Sequence, residues 1–103
     1  MNNQSQVIEN QPGCIASAME IIGKKWTALI LRDLMSGPKR FSELERTIEK
    51  ITPRILSHRL EELKLQGVLI LDTNNCYSLT SKGRDLLPIL KQMANWGIKY
   101  PNL

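Results

Sequence analysis

The chain has 103 residues, the size of one small domain, of which 42% are hydrophobic and 23% charged. That balance is typical of a globular protein and excludes a disordered or fibrous class. No apolar run reaches the roughly 18 residues of a membrane span, and the N-terminus lacks the apolar core of a secretory signal. No membrane partner is therefore expected. Only two cysteines are present, Cys14 and Cys76, so the cytoplasm is the expected location.

The net charge is +4, which permits a polyanionic partner without requiring one. One His and two Cys are too few for a structural zinc site, and the chain has no glycine-rich phosphate loop. We therefore expect no enzyme activity, no catalytic residues, no metal and no cofactor.

Residues 1–12 are polar and are predicted to be a flexible tail, followed by a single domain over 13–100. Helices are predicted over 14–22 and 24–35, because apolar residues recur there at helical spacing. The first helix has one apolar stripe, formed by Ile15, Ala18, Met19 and Ile22. The expected buried stripe of the second helix is Trp26, Leu29, Ile30 and Leu34.

A helix-turn-helix is predicted over about residues 42–66, after a short extended link at 39–41. Ser42 and Glu45 have the spacing of a capping box, which places the start of a short third helix at Ser42. That helix is expected to end at about Ile48.

The fourth helix is predicted from Pro53 to Gln66, with Thr52 as its N-cap and Gly67 as its end. On a helical wheel, Leu56, Leu60, Leu63 and Gly67 fall on the side that faces the core. The opposite side carries Arg54, Ser57, His58 and Glu61. Such a face suits the reading of a DNA major groove, although solvated residues on an ordinary amphipathic helix would give the same pattern.

Residues 68–80 predict a β-hairpin, or wing, because they are β-rich and Asn74 and Asn75 tolerate the left-handed conformation of a tight turn. A last helix is predicted over 81–99 with a kink at Pro88. This helix has more apolar residues than one stripe, so it is expected to pack on its own domain and on a second copy. Burial within a single chain is the alternative.

Several stretches of the chain resemble the HxlR family of winged-helix regulators, relatives of the MarR-like regulators. They are residues 22–34 (IGKKWTALILRDL), 37–44 (GPKRFSEL), 51–60 (ITPRILSHRL), 77–80 (YSLT) and 83–97. The resemblance implies a mainly α (α+β) winged helix-turn-helix domain with flanking N- and C-terminal dimerisation helices. It also implies a homodimer that regulates transcription by binding double-stranded DNA at pseudo-palindromic operators.

The wing departs from the family pattern, because its turn is short and carries no Lys or Arg. More of the affinity must then come from four bases, which are Lys39, Arg40, Arg54 and Arg59. The full set of candidate DNA-binding residues is Lys39, Arg40, Ser42, Thr52, Pro53, Arg54, Ser57, His58, Arg59, Asn74 and Asn75. A winged-helix module that binds protein instead of DNA is the alternative function.

Cys14 is a candidate redox residue. It stands at a predicted helix start, where the positive end of the helix favours the thiolate, and many relatives carry an N-terminal Cys at this place. A Cys packed in the dimer seam is the alternative. The sequence does not predict the operator, the target genes, the sign of regulation or any small-molecule effector.

Overall fold

The computed structural model describes residues 14–102, and for Cys14 it describes the backbone alone. The predicted tail over 1–12 therefore lies outside the described residues. The elements in chain order are α1 (Cys14–Ile22), α2 (Thr27–Leu34), β1 (Lys39–Arg40), α3 (Phe41–Thr47), α4 (Pro53–Leu65), β2 (Leu69–Leu71), β3 (Cys76–Leu79), α5 (Ser81–Arg84) and α6 (Leu87–Lys99). This order confirms the mainly α winged helix-turn-helix.

The core forms where α2, α3 and α4 meet the sheet. Leu56, Leu60 and Leu63 of α4 are at most 2% exposed, as their spacing predicted. They pack with Leu44 of α3 and with other buried residues, which are Ile30, Leu31, Leu34, Ile48, Val68 and Leu69. The prediction that Gly67 faces the core is wrong, because this residue is exposed and ends α4 with a left-handed φ of +74°.

The wing is the predicted hairpin, extended by a third strand. β3 lies between β1 and β2 in an antiparallel sheet, with Leu69 opposite Leu79 and Arg40 opposite Cys76. The Asp72 carboxylate accepts backbone N–H groups of Asn74 and Cys76 at 2.8 and 3.0 Å. Asn75 adopts the expected left-handed conformation, with φ 62°.

The second helix begins later than predicted. Trp26 has a left-handed φ of 81°, so regular helix starts at Thr27 and not at Lys24. Trp26 packs half-buried against the core and does not open the buried stripe. The buried residues of α2 are Thr27, Ile30, Leu31 and Leu34.

The two helix starts within the helix-turn-helix have different outcomes. The prediction that Ser42 and Glu45 form a capping box is wrong. Arg40 is the extended N-cap of α3, and its backbone N–H donates to Glu43 Oε1 at 2.9 Å. Ser42 therefore already lies in the first turn of α3. The prediction for α4 is confirmed, since Thr52 Oγ1 accepts the Ile55 N–H at 3.2 Å.

The predicted single helix over 81–99 is two helices. Residues 85 and 86 form a turn between α5 and α6, and Pro88 lies in the first turn of α6. A proline at 88 cannot donate to the Arg84 carbonyl, and here the helix breaks instead of kinking. Gly83 allows α5 to approach Val68, the residue before β2, because a Cβ at position 83 would stand 2.1 Å from the Val68 carbonyl oxygen.

Candidate nucleic-acid interface

The outward face of α4 is an open, mixed polar surface. Arg54, Ser57, His58 and Glu61 are exposed, as the helical wheel predicted. They line a shallow concavity of about 660 Å³ together with Ile55 and Arg59. Within the described residues, the Arg54 side chain forms no ion pair, so its guanidinium is available to an external acceptor.

The start of α4 lies in the same region. Thr52 and Pro53 are exposed, and the Thr52 side chain occupies the Ile55 N–H. Pro53 has no N–H, so the Arg54 N–H is the next donor of this first turn, which has no intrahelical acceptor. An anion placed here would meet that N–H and the positive end of the helix dipole.

The bases of β1 differ in availability. Arg40 is exposed and lies opposite Cys76, beside the turn that carries Asn74 and Asn75. Lys39 is half-buried, and its Nζ donates to Ser36 Oγ at 2.9 Å and to the Gly37 carbonyl at 3.5 Å. Ser42, Asn74 and Asn75 are exposed.

Arg59 is turned inward towards the protein. Its Nε donates to the Lys25 carbonyl at 3.3 Å, and its guanidinium bonds Glu62 Oε1 at 3.0 Å. Its side chain is 23% exposed. The prediction that Arg59 is free to contact phosphate therefore does not match its partners in this structure.

Glu62 is a residue that sequence reasoning missed. Its carboxylate meets Lys24 Nζ at 2.7 Å, Arg59 at 3.0 Å and His58 Nε2 at 3.8 Å. The hydrogen bond from Lys24, followed by the nearby positive charges, holds the Glu62 pKa below its usual value, against the opposing effect of burial. The spacing of Glu62 from His58 and Arg59 on one helix was visible, but the contact with Lys24 spans 38 residues.

The candidate redox residue is only partly described. Cys14 is the first residue of α1, and its side chain lies outside the described atoms. Cys76 is a half-buried free thiol in β3. The described residues contain no cluster of His, Cys, Asp and Glu suited to a metal ion. Within residues 14–102, no helix is both long and apolar enough to span a bilayer.

A short helix, a tight turn and a capped second helix with an exposed polar face, followed by a hairpin, define a winged helix-turn-helix DNA-binding domain. The family model described as HxlR-like helix-turn-helix matches residues 21–103. The chain belongs to this family and is a DNA-binding transcriptional regulator.

Individual relatives agree with that assignment. The chain is 40% identical over 89 residues to the uncharacterized HTH-type transcriptional regulator YvaP of Bacillus subtilis, covering 81% of this chain and 82% of the relative. The quinone-bound YodB from B. subtilis superposes with a TM-score of 0.78 at 36% identity, covering 84% and 97% of the two chains. The redox regulator HypR in its oxidized form gives a TM-score of 0.74 at 33% identity, covering 86% and 98%. These matches favour DNA binding over the alternative of a protein-binding module.

Proposed function

We propose that the chain acts as a homodimer that reads a pseudo-palindromic operator, with α4 of each protomer in a major groove. The observation that carries the proposal is the exposed outer face of α4 with Arg54, Ser57 and His58 near its start. Recognition helices reach base edges with their N-terminal residues, and Arg pairs with guanine through two hydrogen bonds. The proposal assigns the chain no catalytic role.

The phosphate contacts are assigned to the surroundings of this face. Arg40 and Ser42 lie at the start of α3, and Thr52 with the first turn of α4 offers polar groups to the DNA backbone. Asn74 and Asn75 at the wing tip are short and uncharged, so the wing contributes at most hydrogen bonds. Lys39 and Arg59 are left out of the phosphate contacts because they bond within the protein.

The dimer is assigned to α1 and α6. Beyond Leu90, every residue of α6 is exposed in the single chain, including Met93 at 49%, Trp96 at 66% and Ile98 at 79%. Ile15 and Met19 of α1 are also more than half exposed. Large apolar side chains in this density favour association with a second copy.

The two-fold arrangement has a geometric consequence. Two copies of α4 related by a two-fold axis reach successive major grooves when they lie about 34 Å apart, which explains the expected pseudo-palindrome.

We assign Cys14 the role of a thiol switch, because it is the first residue of α1 and α1 belongs to the proposed dimer surface. Two similar structures are the quinone-bound YodB and the redox regulator HypR in its oxidized form, which favours a redox response for this chain. A disulfide would form from two thiolates, with Cys14 of a second copy or Cys76 as the partner and diamide taking up the electron pair.

Two experiments test the proposal. Sedimentation should give a dimer at micromolar concentration, and a monomer of 11.8 kDa would contradict it. Operator affinity should change when the wild type is treated with diamide, while Cys14→Ser should keep its affinity. If both proteins respond equally, or neither does, Cys14 is not the switch.

A further inference from the structure

The recognition helix is tied to the loop between α1 and α2 by polar bonds. Lys24 of that loop bonds Glu62 Oε2 at 2.7 Å, while Glu62 Oε1 accepts from Arg59 at 3.0 Å. Arg59 in turn donates through Nε to the carbonyl of Lys25 at 3.3 Å. Each carboxylate oxygen therefore has its own cation, and both cations connect α4 to the same loop. We call Lys24, Arg59 and Glu62 the clamp.

The clamp supplies what the apolar contacts of α4 do not. Leu56, Leu60 and Leu63 bury one side of the helix in the core, but the hydrophobic effect that drives this burial is non-directional. Two charge-assisted hydrogen bonds, at 2.7 and 3.3 Å, join one side of α4 to the loop, and because such bonds are directional they restrain rotation about the helix axis.

The sensitivity of DNA reading to rotation follows from helix dimensions. Side-chain ends lie about 6 Å from the axis, so a turn of about 10° moves them by about 1 Å. Hydrogen-bond lengths tolerate a range of only about 0.5 Å. A rotation of this size therefore misplaces Arg54 relative to a base edge.

The loop held by the clamp has an unusual backbone. Trp26 adopts the left-handed φ of 81°, and its ring packs against the core with Lys25 Nζ 4.9 Å above it. The position of Lys24 and of the Lys25 carbonyl is therefore set by an anchored aromatic residue. The clamp fastens α4 to a fixed point and not to a free loop.

We propose that Glu62 is a positioning residue for DNA reading, because by holding Lys24 and Arg59 it fixes the rotation of α4 and keeps two cations away from phosphate. The inference rests on the proposed function of α4 as the reading helix. Removal of an acid near DNA usually strengthens binding to every sequence. Removal of Glu62 should also strengthen general binding, but it should weaken sequence reading.

The test measures two affinities for each protein variant. One duplex is an operator recovered by selection with the wild type from a random-sequence library, and the other is the same duplex with its sequence shuffled. Glu62→Gln should lower the ratio of operator to shuffled affinity by roughly tenfold, the scale of one lost base contact. Its affinity for the shuffled duplex should rise, and its salt slope should steepen by up to about two per protomer.

Lys24→Met and Lys25→Met form a matched pair of controls. Both remove one positive charge from adjacent positions, but only Lys24 touches Glu62, while Lys25 Nζ lies over Trp26. Lys24→Met should lower the operator ratio and Lys25→Met should change it less than twofold. In the Lys24→Met, Glu62→Gln double variant the two effects on the ratio should not add.

The outcomes separate the clamp from the reading of DNA by α4. The positioning role of Glu62 is refuted if a folded Glu62→Gln protein keeps the wild-type ratio of operator to shuffled affinity, including the case in which both affinities fall equally. If Glu62→Gln does not fold, equal effects of Lys24→Met and Lys25→Met overturn it. The proposed function fails instead if Arg54→Ala leaves the operator ratio unchanged.

Discussion

Salt titration of the protein–DNA complex follows from the side chains that are free in the structure. Among the four candidate bases, Arg59 pairs with Glu62 and Lys39 donates to Ser36 Oγ and the Gly37 carbonyl, whereas the side chains of Arg40 and Arg54 form no hydrogen bond or ion pair within the described residues. Two free bases per protomer give four in a dimer and a slope of about −3.6 in log affinity against log salt. The affinity should then fall about 150-fold between about 50 and 200 mM salt.

A dimer in which Lys39 and Arg59 also contact phosphate would have a steeper salt dependence. If all four bases of each protomer met phosphates, the slope would be about −7 and the loss roughly 2 × 10⁴-fold. Fluorescence anisotropy of a labelled operator duplex at several salt concentrations distinguishes the two values. Arg40→Ala should reduce the slope by about 1.8 in the dimer, whereas the matched Arg59→Ala should not reduce it. A wild-type slope near −7, or an equal reduction by both variants, would refute this reasoning.

Three further predictions concern stability and assembly. Gly83→Ala places a Cβ 2.1 Å from the Val68 carbonyl oxygen, so it should lower the free energy of unfolding by about 1–3 kcal/mol. Urea titration measures this change, and an unchanged midpoint would contradict the close approach. Lys24, Arg59 and His58 lower the Glu62 pKa from 4.5, so its ionised form stabilises the fold above that pH and this stabilisation is lost as pH falls through the lowered pKa. Glu62→Gln should accordingly lose less stability than wild type on acidification below about pH 4.5, and parallel curves for the two proteins would contradict the ion pairs. Trp96→Ala, at a side chain that is 66% exposed in the single chain, should weaken the dimer by roughly tenfold or more in sedimentation equilibrium, and unchanged association would place the interface elsewhere.

The parts of the fold predicted well are those fixed by neighbouring residues. Thr52-Pro53 specifies the start of α4 through a hydroxyl cap and a missing donor, and the structure has both. The wing is likewise set locally, since Asp72 binds the turn and Asn75 accepts a left-handed backbone.

The sequence mispredicts elements whose bounds depend on contacts with residues far away in the chain. Trp26 has a left-handed backbone and packs its ring against the core, so α2 begins at Thr27. No pattern of neighbouring residues predicts this conformation. The break before α6 has a local cause in Pro88, but sequence alone does not tell a kink from a separation into two helices. The strand β1 has two residues and exists through its pairing with β3.

The sequence predicts which side of α4 is exposed, but it does not predict the hydrogen bonds and ion pairs among the side chains of the site. The exposed side of α4 follows from its periodicity, so the exposure of Arg54, Ser57 and His58 is predictable from the sequence. The orientation of the Arg59 side chain depends on its bonds to Glu62 and to the carbonyl of Lys25, and Lys25 is 34 residues away. Charge counting treated Arg59 as free, although its partners were present elsewhere in the same chain.

The central claim is that α4 reads base sequence, and its most direct test compares binding preferences of the wild type and Arg54→Ala. Both proteins are used to select duplexes from one random-sequence library, and the enriched positions are compared. We predict that Arg54→Ala loses preference at one position in each half-site and about 1–3 kcal/mol of discrimination there, while other positions keep theirs. An equal weakening at every position, with an unchanged pattern of preference, would contradict the claim and reduce Arg54 to a phosphate contact.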